Sequence, residues 1–328
     1  MKTTSLRSRI PWVDTLKGLC MIFVIISHAY PPTVWIRLYT PFFLSGFFFA
    51  SGYTFNMRDS FKNFFLQKVR TILVPLVFLS LINGVVGVLF KNIPFYVRLL
   101  GILIQQADGY ESLWFFACLF VCELMFYVIV RYSTNEKVVL LISHLIGIVG
   151  FVYIAWGGVH LPWQFEIACV SSVFVSWGFV YRLHEEKIKN ILNHPIVLAG
   201  MIIIYLVLCL MYDNDVNIHE ERFGFQWLFV LEALIATAIV LLISQLLGKK
   251  KFLGFVGTHS IIYFSFQGFL LQSLRSVLGH LGVINTVVLC VIPVIVAISI
   301  LSITALIIYK YLPFMVGKPI RKVRSKDQ

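Results

Sequence analysis

The chain has 328 residues, of which 59% are hydrophobic and 13% are charged, and its formal net charge is +12. Soluble domains contain about 25% charged residues, so this composition excludes an ordinary soluble protein and indicates that lipid surrounds much of the chain. Basic residues decorate the cytoplasmic loops of membrane proteins, so the positive charge does not point to a nucleic-acid partner.

Ten segments are apolar and long enough to cross a membrane, for which a helix needs about 20 residues. They lie at roughly 12–30, 37–56, 71–90, 112–130, 138–156, 163–181, 195–212, 226–247, 258–278 and 284–309. The second is the weakest, because Pro41 and several glycines interrupt it, and residues 92–107 are too short to span. The sequence therefore predicts an all-α, polytopic bundle of about ten transmembrane helices that forms one membrane domain over residues 1–328.

The first apolar segment superficially resembles a secretory signal, since a basic stretch precedes it. Asp14 and Lys17 fall in its first half, and no small-residue cleavage site follows it. An uncleaved first helix is therefore the better interpretation.

Lysine and arginine concentrate in alternate loops between the predicted spans. These loops hold Lys2, Arg7, Arg9, Arg58, Lys62, Lys68, Arg70, Arg131, Lys137, Arg182, Lys187, Lys189, Lys249, Lys250, Lys251 and the basic tail at about 312–328. The opposite loops hold only Arg37, Lys91, Arg98 and Arg222, and one of them, 213–222, carries Asp213, Asp215, Glu220 and Glu221. Because cytoplasmic loops are the basic ones, the sequence predicts a multi-pass plasma-membrane protein with both termini in the cytoplasm.

The six cysteines all fall inside apolar runs and are interpreted as small buried side chains. They are Cys20, Cys118, Cys122, Cys169, Cys209 and Cys290. Cys118 and Cys122 lie four residues apart without other ligands nearby, which is a poor arrangement for structural zinc. We therefore expect no metal.

Three ionisable residues lie in the first predicted helix, where such residues are costly and by default mark function. They are Asp14, Lys17 and His28. Lys17 and His28 are eleven residues apart, so they lie on nearly the same face and are separated by about 16 Å along the axis. The alternative is that Lys17 snorkels to one interface and His28 lies at the other.

Small residues follow in the second span, which reads TPFFLSGFFFASGYTF. Its pairs Ser45-Gly46 and Ser51-Gly52 permit either close helix packing or a groove for an extended ligand. Lys68 and Arg70 precede Pro75 at the start of the third span. They are either ordinary cytoplasmic charges or an anion site for phosphates, for which arginine offers forked donors.

The ordered motifs resemble the acyltransferase-3 family of integral membrane O-acyltransferases. The opening of the family is similar to DTLKGLCMIFVIISH, PFFLSGFFFASGYTF and LQKVRTILVPL. Its fourth-span motif resembles SLWFFACLFVCELMFY, and the sixth span of its small sugar O-acetyltransferases resembles LPWQFEIACVSSVFVSWGFVY. Its late Gly–Ser–Tyr motif resembles FLGFVGTHSIIYFSFQ. Any one motif is weak, but the ordered set covers essentially the whole chain.

The resemblance implies an O-acetyltransferase that uses acetyl-CoA as co-substrate and a carbohydrate or lipid-linked glycan as acceptor. The family signature, a basic residue followed after ten positions by His, falls on Lys17 and His28, and the family's His acts as base on the acceptor hydroxyl. Its basic residues near the third span handle the coenzyme, which implicates Lys68 and Arg70, although Thr71 stands at the second strict position. Gln267 stands where the late motif often has His, so no second catalytic His is expected there.

The remaining site candidates are polar residues within or beside the spans. Asp14 joins Lys17 and His28 as a catalytic candidate, while Ser45, Ser51 and Tyr53 are candidates for binding the coenzyme. Trp114, Glu123, Glu166 and Gln267 are candidates for lining the substrate cavity. Two alternatives remain open at this point: a transporter or flippase of a polar glycan or lipid-linked substrate, whose path polar residues would also mark, and a non-catalytic membrane partner.

Overall fold

A computed structural model of the chain describes residues 9–57, 60–91, 94–105, 113–133, 135–211, 216–224 and 226–319. Across these ranges the fold is helical, apart from one short two-stranded ribbon. The predicted positions Lys2, Arg7, Arg58, Asp213 and Asp215 and the tail beyond residue 319 lie outside the described residues. The α-helices are α1 (Pro11–Ser27), α2 (Thr33–Arg37), α3 (Thr40–Thr54), α4 (Phe61–Lys68), α5 (Val74–Lys91), α6 (Phe95–Ile104), α7 (Trp114–Tyr132), α8 (Glu136–Ala155), α9 (Phe165–Leu183), α10 (Glu185–Leu192), α11 (Pro195–Met211), α12 (Gln226–Leu247), α13 (Lys251–Thr258), α14 (Ser260–His280) and α15 (Thr286–Tyr311).

The described residues contain six helices that are long and apolar enough to cross a membrane, or seven if the bent pair α10 and α11 forms one span. They include the continuous helix from α4 into α5, together with α7, α8, α9, α12 and α15. The described residues do not show ten such helices. Of the remaining predicted spans, α1 has 17 residues and α3 has 15, which are short for a full span, while α14 has 21 residues but is not apolar enough. Pro41 lies in the first turn of α3, which explains why the weakest predicted span is short.

Burial separates central helices from peripheral ones. In the most apolar stretch of each helix, 78% of the residues are buried in α9 and 67% in α7, but only 28% in α8 and in α15. The peripheral helices therefore present apolar surface to their surroundings, as with Leu141, Val149 and Ile295, each of which is more than half exposed. A surface this apolar requires lipid rather than water around it.

Glycines allow two pairs of helices to cross with their backbones in contact. A Cβ added at Gly52 would lie 1.9 Å from the Val175 carbonyl oxygen, so α3 and α9 are too close for any side chain at this position. A Cβ at Gly257 would lie 1.9 Å from the Asp14 carbonyl oxygen, so α13 presses equally closely on α1. Gly52 therefore serves helix packing, which is one of the two roles that the sequence left open.

Two short segments close the ends of the bundle. The ribbon pairs β1 (Val216–Asn217) with β2 (Arg222–Phe223) in antiparallel fashion, with Val216 opposite Phe223. We call residues 216–224 the hairpin. After the C-terminal end of α15, a 3-10 turn covers Pro313–Val316. The Phe314 ring packs edge-on against Phe78 of α5, with the ring centres 5.5 Å apart.

Candidate functional site

A polar cavity of about 330 Å³ lies between α1, α3, α4, α7 and α13. We call it the Lys17 cavity, and its charged and hydroxyl-bearing lining includes Arg9, Asp14, Lys17, Ser51, Lys68 and Glu123. Sequence reasoning placed five of these six among the site candidates, namely all but Arg9. The structure brings these five together although they come from four separate helices, α1, α3, α4 and α7.

Most charges in the Lys17 cavity are compensated in pairs. Arg9 Nε lies 2.7 Å from Asp14 Oδ2. Glu123 pairs with Lys68 and also accepts a hydrogen bond from the Ser51 hydroxyl. Three cations thus face two carboxylates within the lining. An excess of positive charge in a partly enclosed cavity favours an anionic ligand.

Lys17 differs from the other charged residues of the cavity. It interacts electrostatically with Asp14 and Glu123. Within the described part of the chain, however, its ammonium makes no hydrogen bond and no ion pair within 4 Å. Its three N–H donors are therefore available to a ligand in the cavity.

A π-helical turn over Val69–Leu73 follows Lys68 directly and contains Arg70 and Thr71. Such turns widen a helix locally and occur frequently at functional sites. Lys68 and Thr71 line the Lys17 cavity, whereas Arg70 is exposed and its Nε donates to the Gly317 carbonyl at 2.9 Å. Of the two predicted coenzyme-binding cations, only Lys68 therefore faces this cavity.

Two further coenzyme-binding candidates do not belong to the lining. Ser45 is fully buried and its hydroxyl donates to the Pro41 carbonyl within α3 at 2.7 Å. The Tyr53 hydroxyl donates to Glu185 Oε2 at 2.5 Å, and its ring meets Trp12 edge-on at 4.6 Å. Both side chains are engaged in contacts between or within helices.

A second group of candidate residues surrounds the end of α1. The helix ends at Ser27, and His28 follows it with an exposed side chain. His28 interacts electrostatically with His219 of the hairpin, and the His219 ring stacks on Trp114 at 5.0 Å with an interplanar angle of 23°. We call His28, Trp114 and His219 the His28 cluster. His219 lies far from α1 in the sequence, and no local pattern links it to a helix end 191 positions earlier.

The chain beyond His28 is held by a half-buried cation. Arg275 donates to the carbonyls of Ala29 and Leu289, and its guanidinium lies 5.1 Å from the centre of the Tyr30 ring. Its hydrogen-bond donors are thus directed to backbone oxygens. These contacts fix the segment that follows α1 and so contribute to the position of His28.

One layer of side chains lies between the two groups. Met21 lines the Lys17 cavity, is completely buried, and lies two helical turns before His28. Phe115 also lines this cavity, and its ring centre is 6.2 Å from that of Trp114. A ligand that passed this layer from the Lys17 cavity would reach the His28 cluster.

The last two candidates lie elsewhere. Glu166 is 1% exposed at the start of α9, where it lies beside His160 and Glu221. Gln267 is 3% exposed in α14 and does not belong to the lining of the Lys17 cavity. Its Oε1 has no hydrogen-bond partner among the described residues.

Comparison with known proteins defines the class to which this chain belongs. A helical membrane fold with a cationic cavity and a histidine at the end of the same helix is compatible with an integral membrane acyltransferase. The family model described as an acyltransferase domain, Acyl_transf_3, matches residues 10–305 of the chain. The chain therefore belongs to the acyltransferase-3 family, which confirms the resemblance seen in the motifs and indicates an acyltransferase enzyme. A search of curated proteins and a search of solved structures each found no match.

Proposed function

We propose that the chain transfers an acetyl group from cytoplasmic acetyl-CoA to a hydroxyl of a cell-surface or lipid-linked glycan, with His28 as general base. Family membership supports the acyl transfer, and the motif resemblance to small sugar O-acetyltransferases supports the donor and the acceptor class. Membership of an enzyme family also favours this function over the transporter, the flippase and the non-catalytic partner that the sequence left open.

The Lys17 cavity is the proposed donor site. Coenzyme A carries phosphates, and the cavity offers Arg9, Lys17 and Lys68 as cations. Because Arg9 and Lys68 already have carboxylate partners, Lys17 is the cation of this lining that keeps free donors within the described residues. Charge-assisted hydrogen bonds to phosphate are among the stronger polar contacts in proteins, so this ammonium supports binding of the donor.

In the proposed reaction the acetyl group passes directly from the sulfur of coenzyme A to the oxygen of the acceptor hydroxyl. The His28 imidazole accepts the proton of the acceptor hydroxyl while the oxygen attacks the thioester carbonyl carbon. The new C–O bond forms, the C–S bond breaks, and the departing thiolate of coenzyme A takes the proton from the imidazolium. A neutral imidazole accepts a proton and its protonated form donates one, so histidine suits both halves of this proton transfer.

The proposed geometry requires the donor to extend along α1. Lys17 and His28 are about 16 Å apart along a helix that the structure leaves unbroken to Ser27. The phosphates would lie with Lys17, and the pantetheine arm would pass Met21 and Phe115 to present the thioester at His28. Trp114 lies at the His28 end of this path and Glu123 at the Lys17 end. During the transfer the thioester carbonyl oxygen gains negative charge, which nearby N–H or O–H donors would stabilise.

The proposed orientation rests on charge. Lysine and arginine in alternate loops favour ten crossings of the plasma membrane with both termini in the cytoplasm. The Lys17 cavity would then open toward cytoplasmic acetyl-CoA, and the hairpin with His219 would lie on the outer face. The short helices α1 and α3 would cross as members of the bundle, where neighbouring helices cover their polar ends.

The observation that carries this proposal is that α1 holds Lys17 in a cationic cavity and ends at an exposed histidine. The test compares cells that express the wild-type chain, His28→Ala or His280→Ala, the last being an exposed histidine at the end of α14. Ester-linked acetate on envelope glycans is measured by mass spectrometry after membrane insertion is verified. We expect the ester to disappear only in His28→Ala, and unchanged ester in that variant would overturn the role of the base.

A further inference from the structure

Three potential metal ligands converge beside the His28 cluster. The ligand atoms of His160, Glu166 and Glu221 all lie within 4.8 Å of one another. His160 Nδ1 is 2.9 Å from Glu221 Oε1 and 3.7 Å from Glu166 Oε1. We call these three residues the Glu166 cluster. Its members come from the loop after α8, the first turn of α9 and the hairpin, so the fold rather than local sequence assembles it.

Glu166 supplies an independent indication that a ligand belongs there. Its side chain is completely buried, and its Oε2 accepts a hydrogen bond from the Leu161 backbone N–H at 3.3 Å. Its Oε1 faces His160 and has no hydrogen-bond donor among the described residues. A buried carboxylate oxygen without a donor is costly, because burial removes its water without replacing it.

The charges of the cluster also call for a cation. Glu166 and Glu221 are close enough to interact directly, which places two carboxylates in one partly buried site. Like charges at this distance repel unless a cation or a shared proton lies between them. A histidine among the carboxylates favours a transition metal over Mg²⁺ or Ca²⁺, which prefer oxygen ligands alone.

We propose that His160, Glu166 and Glu221 bind a divalent transition-metal ion, with Zn²⁺ as the best fit. In tetrahedral zinc sites the ligand atoms lie about 2.0–2.1 Å from the metal, which places them about 3.3 Å from one another. The separations of 2.9 and 3.7 Å from His160 Nδ1 bracket this value. One imidazole and two carboxylates would leave the fourth position to water.

Such an ion would tie the hairpin to the bundle. Glu221 belongs to the hairpin, while Glu166 belongs to α9, the most enclosed of the spanning helices. The metal would therefore join the hairpin to the most buried of the spanning helices. His219 lies two residues from Glu221 and stacks on Trp114 beside His28. The metal thus acts as a clamp that positions His219, and it takes no part in the acyl transfer itself.

The test measures metal binding directly on the full-length chain, purified in detergent without an affinity tag that binds metal. After dialysis against EDTA, Zn²⁺ is titrated, and bound metal is counted by mass spectrometry together with the thermal unfolding temperature. The wild-type chain is compared with Glu221→Gln, His160→Asn and the control Glu220→Gln. Glu220 is the exposed neighbour in the hairpin, where its carboxylate lies 2.6 Å from Arg222.

We expect the wild-type chain and Glu220→Gln to bind one Zn²⁺ and to unfold at a higher temperature with it. Glu221→Gln and His160→Asn should bind Zn²⁺ at least tenfold more weakly and should lose the thermal shift. A wild-type chain that binds no Zn²⁺ would overturn the proposal, and the two carboxylates would then share a proton. Equal binding by Glu221→Gln and the wild-type chain would overturn it as well.

These measurements need no substrate, so their outcome is separate from that of the proposed acetyl transfer. A chain that binds Zn²⁺ through Glu221 but transfers no acetyl group would retain the metal site and lose the proposed function. A chain that transfers acetyl groups after EDTA treatment without binding Zn²⁺ would retain the function and lose the metal site.

Discussion

The Lys17 cavity takes residues from α1 and the His28 cluster lies at the end of that helix, but the two are built from different kinds of contact. In the cavity, carboxylates hold two of three cations in place, and Lys17 alone keeps free donors within the described residues. In the cluster, His219 stacks on Trp114 and interacts electrostatically with an exposed His28. The cavity is therefore suited to hold charge, whereas the cluster is suited to move a proton.

The two regions are suited to two different steps of the proposed reaction. Binding an anion needs fixed positive charge, which ion pairs and partial burial provide. Proton transfer needs a group that can both gain and lose a proton near neutral pH, and access to the acceptor. Substitutions in the two regions should therefore change different kinetic constants.

The largest effect is expected for His28→Ala. Loss of a general base lowers the rate of transfer by about 10²- to 10⁴-fold. The measurement is kcat with acetyl-CoA and envelope glycans of the producing cells, with His280→Ala as the control. A fall in the affinity for acetyl-CoA with unchanged kcat would contradict the assignment, because it would place His28 in donor binding.

A smaller effect is expected for Lys17→Met, which keeps the length of the side chain and removes its charge. Charge-assisted hydrogen bonds contribute about 1.5–3 kcal/mol, so the KM for acetyl-CoA should rise by about 10- to 100-fold with a smaller change in kcat. Lys189→Met removes an exposed lysine of α10 and serves as the control. A loss confined to kcat would place Lys17 at the reacting carbonyl instead and would contradict its role in binding the donor.

Gly178→Val tests the scaffold that the two regions share. A Cβ at Gly178 would lie 2.0 Å from the Phe49 carbonyl oxygen, so α3 and α9 would have to separate. Overpacking typically costs about 1–3 kcal/mol, and we expect a lower unfolding temperature with kcat and KM of the folded fraction nearly unchanged. Gly200→Val in α11 is the control, since a Cβ there meets nothing within 4 Å. Equal destabilisation by both variants would show that close crossing is not the cause.

The smallest effect is expected for Arg70→Gln, which removes the hydrogen bond to the Gly317 carbonyl. Arg70 is exposed and lies outside the cavity lining, so the KM for acetyl-CoA should change less than twofold. Faster hydrogen exchange at Pro313–Val316 is the expected sign of a loosened C-terminal turn. A tenfold rise in KM would instead make Arg70 a ligand of the donor and extend the binding region beyond the cavity.

The spacing of Lys17 and His28 could be predicted because it depends on one helix. Helix geometry fixes the separation of two residues on the same face, and α1 runs without a break from Pro11 to Ser27. The number of spans was harder to predict, since hydropathy does not show where a helix ends. Pro41 indicated in the sequence that the second segment was the weakest, but only the structure showed that α3 has no more than 15 residues.

The choice between neighbouring polar residues could not be predicted. Lys68 faces the cavity while Arg70 faces the C-terminal turn, because residues two apart on a helix lie on nearly opposite faces. Ser51 reaches Glu123 while Ser45 bonds within its own helix. Each outcome depends on how a helix is rotated against its neighbours, and residue type alone does not determine that rotation.

Composition and motif order by themselves determined that this protein is a helical membrane enzyme of the acyltransferase-3 family, because apolar length and local spacing are properties of single segments. Only the tertiary structure brought His219 beside His28 and Trp114 and assembled His160, Glu166 and Glu221. These groups join segments that are distant in the chain, and they meet because glycine-mediated packing and the hairpin set how the helices approach one another.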